Sequence, residues 1–465
     1  MVRPDEVPGV PNLPYFTPKH QLNPGTPMPG TEKPIPTIFK PLQIRGVTMR
    51  NRITVSPMCQ YSSANFGPTV GALTDWHVAT LGHYAIKGAG LVFIEATGVQ
   101  ANGRISVNCP GLWSDAQIPA VRRVADFVKS QGALCGIQLG HAGLKASSTA
   151  IWLALRNSAG RRFNQRAGPE VGGWPEDVVG PMGGEEWTWD GLKSTDPEAG
   201  YWAPRALSEA DIKQFTEDFG KAAFRAVQAG VDLIEIHGAH GYLIGQFLSP
   251  VSNQRTDKYG GSFENRTRLL VEVIHAIRSN IPETMPLFLR ISGSEWLEDT
   301  EVGRKYGSWT IDDSIALAKL LPGLGVDLID VSSGGGHPSQ KIDPFGAGGY
   351  QNAMSAKIRA AVKKDNVKLL VGAVGLITEA EQARDIIDGK HVKQANSGTD
   401  GGEIVKEAQA IVKMTEQDKD ADPMADVVFI ARQFLREPEW VLKVAQELGV
   451  PVAYPTQFSF VQPRP

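Results

Sequence analysis

Short hydrophobic runs recur along this chain at residues 53–58 (ITVSPM), 90–97 (GLVFIEAT), 133–141 (ALCGIQLGH), 232–240 (DLIEIHGAH), 286–293 (PLFLRISG), 327–334 (DLIDVSSG), 368–375 (KLLVGAVG) and 427–434 (VVFIARQF). They are near-continuous in Val, Ile and Leu rather than alternating, the pattern of parallel strands covered on both faces. Between them the period becomes helical. Residues 208–229 open with Ser-Glu-Ala-Asp, an N-cap followed by acids, and set Phe215, Phe219 and Ala223 four apart. Residues 265–279, 310–321 and 378–388 behave alike. AGVDLIEI (229–236) and LGVDLIDV (324–331) are near-copies of a helix end, a Gly stop and a strand, so one supersecondary unit repeats. Eight strand–helix alternations predict an α/β fold, a (β/α)8 TIM barrel, as one domain over 42–455. The alternative is an open doubly wound sheet. No GxGxxG opens the first helix and no GxxxxGK[ST] occurs, which counts against it.

Two gaps between strands are long. Residues 145–205 are rich in Gly, Trp and Pro and follow the third strand, on the carboxyl-end face where barrel active sites lie. They are expected to form a lid or a partner-contact surface. Residues 389–424, with a candidate helix at 403–414, precede the eighth strand and belong on the opposite face. Residues 1–41 hold 11 of the 32 prolines and read as an extended arm, wrapped on the body or disordered. Residues 456–465 form a C-terminal tail.

Composition narrows the function classes. Of 465 residues, 42% are hydrophobic and 21% charged, so a large core is available. A net charge of −3 without a basic run argues against nucleic-acid binding by bulk electrostatics. There is no apolar stretch of ~18 residues for a membrane span, and MVRPDEVPGVPNLPYF lacks the core of a signal peptide. Three cysteines support neither a disulfide framework nor a four-cysteine iron–sulfur cluster. The expectation is a cytoplasmic protein without nucleic-acid or membrane partners.

In a barrel, the strand C-termini carry the chemistry. Here they present Ser56 and Cys59, Gln138 and His141, His237 and His240, Arg290 and Ser292, and Arg432. His237 and His240 cannot share a face of one strand, but they meet if the strand ends at His237 and a helical turn begins. With Tyr242 they read in three ways: a carbonyl clamp with a phenolic proton donor, a metal pair, or structural histidines. Arg290, inside an apolar strand, needs an anionic partner, either a ligand or a carboxylate such as Glu235. Gly334, Gly335 and Gly336, then Gly372 and Gly375, then Ala431 and Arg432 follow strands six to eight, where barrels bind phosphate. Tight turns would also use these glycines.

SPMCQYSS (56–63), QLGHAG (138–143), EIHGAHGYLIGQFLSPVSNQRTDKYGGSFENR (235–266), FLRIS (288–292) and GAVG (372–375) together resemble the old yellow enzyme family of FMN-dependent ene-reductases. Cys59 and Tyr61 resemble its thermophilic-like branch. The resemblance favours the carbonyl clamp over the metal site. It implies noncovalent FMN lined by Ser56, Pro57, Met58 and Cys59, touched by Ala96 and Gln138, and faced at N1 and the C2 oxygen by Arg290. Gly334, Gly335, Gly372, Gly375, Ala431 and Arg432 would hold the phosphate. His237 and His240 would bind the substrate carbonyl, Tyr61 would close the pocket, and Tyr242 would donate a proton. The implied reaction is ping-pong: NADPH or NADH reduces the flavin, which then delivers hydride to the β-carbon of an activated alkene. A redox-neutral flavin isomerase or biosynthetic enzyme of the same family and a metal-dependent barrel hydrolase are the competing functions. Departures from the family pattern are Leu144, where a basic residue is usual although Lys145 follows, and Ala431, where Gly is common. QFSFVQ (457–462) also lacks the Arg that would reach a neighbouring subunit, so an oligomer has no clear C-terminal link.

Overall fold

The apolar runs hydrogen-bond into a closed ring of eight parallel strands: β1 Ile53–Val55, β2 Leu91–Gly98, β3 Leu134–Gly140, β4 Leu233–Gly238, β5 Leu287–Ser292, β6 Leu328–Ser332, β7 Leu370–Val374 and β8 Val427–Ile430. Each pairs with the next in sequence, and β8 closes on β1 through Val428 opposite Ile53. This computed structural model describes residues 8–31, 34–340, 349–389 and 422–462. The fold is the predicted (β/α)8 barrel. Around it lie α1 Asp75–Ile86, α2 Ile118–Ser130, α3 Glu209–Ala229, α4 Phe263–Arg278, α5 Ile311–Leu324, α6 Tyr350–Lys364, α7 Ala380–Asp388 and α8 Trp440–Glu447.

Local chemistry explains the helix ends. Ser208 and Thr310 accept the Asp211 and Asp313 amides, and the aspartates bond back, closing capping boxes. Gly230 and Gly325 end α3 and α5 in left-handed geometry at φ +82° and +95°. The sequence runs overshoot two strands. β1 stops at Val55, before Pro57, which has no amide to donate. β8 stops at Ile430, because Arg432 already begins a short helix, Arg432–Arg436.

The repeated Gly-Val-Asp phrase has a structural purpose. Asp232, at the foot of β4, accepts the Cys135 amide of β3 at 2.8 Å and an ion pair from Lys129 of α2 at 3.1 Å. Asp327, at the foot of β6, accepts the Leu287 amide of β5 at 2.9 Å and Arg278 of α4 at 2.9 Å. Outside the repeated phrase, Asp426 of Met-Ala-Asp at the foot of β8 does the same, accepting the Val371 amide of β7 at 2.9 Å and Arg359 of α6 at 3.1 Å. Each clamp ties two strands and a helix, satisfying an amide the ladder leaves unpaired.

Side chains inside the barrel form layers. The lowest is apolar. Phe93, Phe288 and Phe429 meet there with ring centroids 6.1–6.3 Å apart, above the hairpin of Leu42–Ile44 and Val47–Met49. Gly136 and Gly372 make room for the rings: an added Cβ would lie 2.6 Å from Phe93 and 2.5 Å from Phe429. Two residues further along, the same strand faces carry Gln138, Glu235, Arg290 and Asp330; two beyond these come His237, Ser292 and Ser332. The main core lies outside the strands, against the helices.

The 145–205 segment contains the helix Ile151–Asn157 and a two-residue parallel ladder of Val179–Gly180 with Arg205–Ala206. It crosses the barrel mouth, where the Trp189 indole donates to the carbonyls of Gly335 and Gly336 at 3.2 and 3.1 Å. The described part of the arm runs along the barrel foot. There the Gly25 amide bonds to Ala453, and the Asn51 side chain donates to Gly25. Residues 390–421, with the candidate helix at 403–414, lie outside the described residues.

Candidate active site

His237, His240 and Tyr242 converge because the chain reverses through left-handed backbone rather than through the expected helical turn. β4 ends at Gly238. His240 has φ +58° and Gly241 +66°, and only then does the short helix Leu243–Leu248 begin. In this left-handed turn the His240 ring lies beside that of His237. Gly241 is obligatory, since any Cβ there would strike the Gly335 carbonyl. The imidazoles sit edge to face, 5.3 Å apart between centroids, and the Tyr242 ring lies 4.8 Å from His237.

The hydrogen bonds of the two imidazoles differ. His237 Nδ1 accepts the Ala239 amide at 3.4 Å, so its Nε2 carries the hydrogen. His240 Nε2 lies 2.7 Å from the Ser332 hydroxyl, and its amide donates to Ser292 at 3.0 Å. Burial, then the charges of Arg290 and Lys145, push both imidazoles far below their usual range, with His240 adding to the effect on His237. Both are neutral donors at neutral pH. Burial pushes the Tyr242 phenol well up, so it keeps its proton.

Beneath these rings lies the charged layer. Arg290 Nε is 2.8 Å from Asp330 Oδ2, on adjacent strands at the same register. Glu235 accepts the Gln138 amide at 2.7 Å. The carboxylate beside Arg290 is therefore Asp330, not Glu235, because the strand ladder sets Asp330 directly opposite the arginine. Burial, then the Asp330 charge, raises Glu235 to about 8, and burial raises Asp330 to about 6.

The other predicted residues ring the mouth. Ser56 bonds through its amide to Ile430, leaving a buried hydroxyl without a partner. Pro57, Met58 and Cys59 follow, half buried. The Cys109 thiol and burial push the Cys59 thiol up, so it is no thiolate nucleophile. Tyr61 stands at φ +52°. Ala96 falls where the β2–β3 register shifts between Ile94 and Thr97. Gly334 and Gly335 are left-handed, and Gly334 faces open space; a Cβ on Gly375 would meet Gln351. Ala431 joins β8 to the helix that Arg432 opens. Gly372 stands apart. It lies in the phenylalanine layer, three residues below Gly375, and packing against Phe429 accounts for it rather than phosphate contact. His141 is also outside the site, accepting the Gly143 amide and packing on Phe215. The orphaned Ser56 hydroxyl, the buried Arg290 with one carboxylate, and the open backbone at Gly334 fit a polar heterocycle and its phosphate, as FMN requires.

Lys145, the basic residue one place beyond the family's usual position, enters the site. Its ammonium donates to the carbonyls of His240 and Gly335 at 3.0 and 3.1 Å, lies 4.8 Å from the Trp189 ring centre and 5.1 Å from that of Tyr242, and is pushed down to about 8 by burial. Tyr201 packs tilted against Trp189, ring centroids 4.9 Å apart. Lys145 directly follows HAGL, but nothing in the spacing of Trp189 or Tyr201 marked them. Asp330 was visible only as an acid in an apolar strand. Among the described residues, no three His, Cys, Asp or Glu side chains gather as metal ligands, and no helix is long and apolar enough to cross a membrane.

The comparisons agree with this geometry. Residues 37–393 match the family model described as NADH:flavin oxidoreductase / NADH oxidase. The chain is 40% identical over 450 residues to an NADH:flavin oxidoreductase of Gibberella zeae, covering 96% of this chain and 93% of that one. It is 35% identical over 423 residues to an NADPH dehydrogenase of a Geobacillus strain, covering 91% and 97%. The structure of the old yellow enzyme homologue from Zymomonas mobilis superposes with a TM-score of 0.58 at 23% identity, over 92% of this chain and 98% of that one, and so shares the fold. A closed barrel with uncharged His and Tyr rings at its mouth, found in a chain this similar to those flavin enzymes, belongs to the NADH:flavin oxidoreductase / NADH oxidase family, of the old yellow enzyme type: an oxidoreductase with FMN as cofactor and NAD(P)H as electron donor.

Proposed function

We propose that this oxidoreductase is an ene-reductase, reducing the activated C=C bond of α,β-unsaturated carbonyl, imide or nitro compounds. The observation that carries the reading is the pair of neutral imidazoles, 5.3 Å apart, with a protonated phenol beside them. Bound FMN supplies the hydride that NAD(P)H provides. His237 and His240 hold the substrate's carbonyl or nitro oxygen by hydrogen bonds, drawing electron density from the β-carbon. As neutral donors they stabilise the developing enolate without protonating it beforehand. The Tyr242 phenol delivers a proton to the α-carbon. Lys145 anchors the His240 and Gly335 carbonyls, fixing the turn that aims the clamp. No separate nicotinamide module is needed if donor and alkene use the mouth in turn.

Anaerobic stopped-flow absorbance tests this reading. The purified protein is expected to be yellow, to bleach with NADPH or NADH, and to regain colour when 2-cyclohexen-1-one, a maleimide or a nitroalkene is mixed in. Bleaching without recovery by any of these acceptors would reject the ene-reductase assignment while leaving the flavin oxidoreductase intact.

A further inference from the structure

The polar layer below the mouth holds one cation, Arg290, and two carboxyl groups, Glu235 and Asp330, all buried. Two features separate the carboxyls. Glu235 shares the Gln138 amide and lies next to a second acid; Asp330 alone contacts the guanidinium, at 2.8 Å. Both Asp330 oxygens otherwise lack hydrogen-bond partners, as does Glu235 Oε2. Such an arrangement is a poor device for stability, because buried acceptors left unpaired are costly. It is an effective device for setting charge. The phenylalanine layer lies beneath, so water screens these groups little and their field reaches upward.

We propose that Asp330 is a positioning residue that sets the reduction potential of the bound flavin by neutralising Arg290 from the neighbouring strand. This rests on the reading that Arg290 faces the flavin's N1 and C2 oxygen. A cation there favours the reduced cofactor, which carries the added negative charge; a carboxylate at 2.8 Å offsets most of that preference. Glu235, held protonated at neutral pH, contributes no charge. Asp330 thus keeps the flavin easily reoxidised, the half-reaction in which substrate is consumed.

The test is the FMN midpoint potential, measured by dye-equilibrated reduction at pH 7 in wild type, D330N, D330S, E235Q and R290Q, with flavin content and melting temperature recorded for each. Asp330→Asn and Asp330→Ser are expected to raise the reduced-to-oxidised ratio at fixed poise about tenfold, which for this two-electron couple is about 30 mV. Glu235→Gln should change it less than threefold, and Arg290→Gln should lower it. Aspartate variants that match E235Q while R290Q falls would overturn the role of Asp330 and leave Arg290 at the flavin. If R290Q is also unchanged, the placement of Arg290 itself is wrong. Loss of flavin from both Asp330 variants would also refute the proposal, which confines this residue to tuning.

Discussion

All three rings at the mouth are uncharged at neutral pH, and this separates their tasks. Replacing Tyr242 by Phe removes the proposed proton donor but no charge. Reduction of the flavin by NADPH should proceed normally, while reoxidation by an enone slows ~10²–10⁴-fold, the usual worth of a general acid; the two half-reactions in a stopped-flow instrument separate these outcomes. His237→Ala removes one of two donors to a bound oxyanion or phenol. Binding of a phenolic ligand, followed in the flavin spectrum, should weaken about tenfold, the worth of one hydrogen bond to a charged acceptor. His237, His240 and Tyr242 were readable in the sequence because three polar groups in six residues end an apolar strand. Their meeting through left-handed backbone was not readable, since His240 carries no mark of positive φ. Asp330 was obscured differently. Whether the acid in LIDV faces inward, and which arginine it meets, depends on the register between two strands 40 residues apart in sequence.

Among the elements, the aspartate clamps are the repeated device. Asp327 joins the start of β5, the end of α4 and Arg45 of the basal hairpin loop, which reaches it at 2.6 Å. Asp327→Ala should therefore destabilise the fold by about 1–3 kcal/mol, mainly by leaving the Leu287 amide unpaired; urea unfolding measures it. Gly372→Ala should cost a similar ~1–3 kcal/mol through overpacking against Phe429, with flavin content retained in the folded fraction. The strands themselves were legible as apolar runs, and the clamps were half legible as the repeated Gly-Val-Asp phrase, which marked a unit without showing its bond to the neighbouring strand. The strand ends were less legible. The polar residues after Val55 and Ile430 keep an apolar neighbour or two, so composition runs on where hydrogen bonding stops.

For the molecule as a whole, buried charge gives stability an unusual pH dependence. Glu235 is raised to about 8 in the fold against an ordinary value near 4.5. Between these limits the folded chain holds a proton that the unfolded chain releases, so this group's contribution is complete below about 4.5, shrinks as pH rises, and is gone above about 8. Asp257 acts the other way: Arg255 lowers its carboxyl, and its contribution is lost as pH falls. In Glu235→Gln the alkaline loss between pH 4.5 and 8 should flatten, which a series of melting temperatures will detect; an unchanged slope would place the titrating group elsewhere. The barrel was legible from the count of alternations. The way 145–205 crosses the mouth was not, because Trp189 and Tyr201 belong to a segment without periodicity.

The three packed phenylalanine rings turn the cylinder into a cup with a dry floor. Protons exchanging with Glu235 or Asp330 are therefore expected to pass by the rim rather than through the apolar floor.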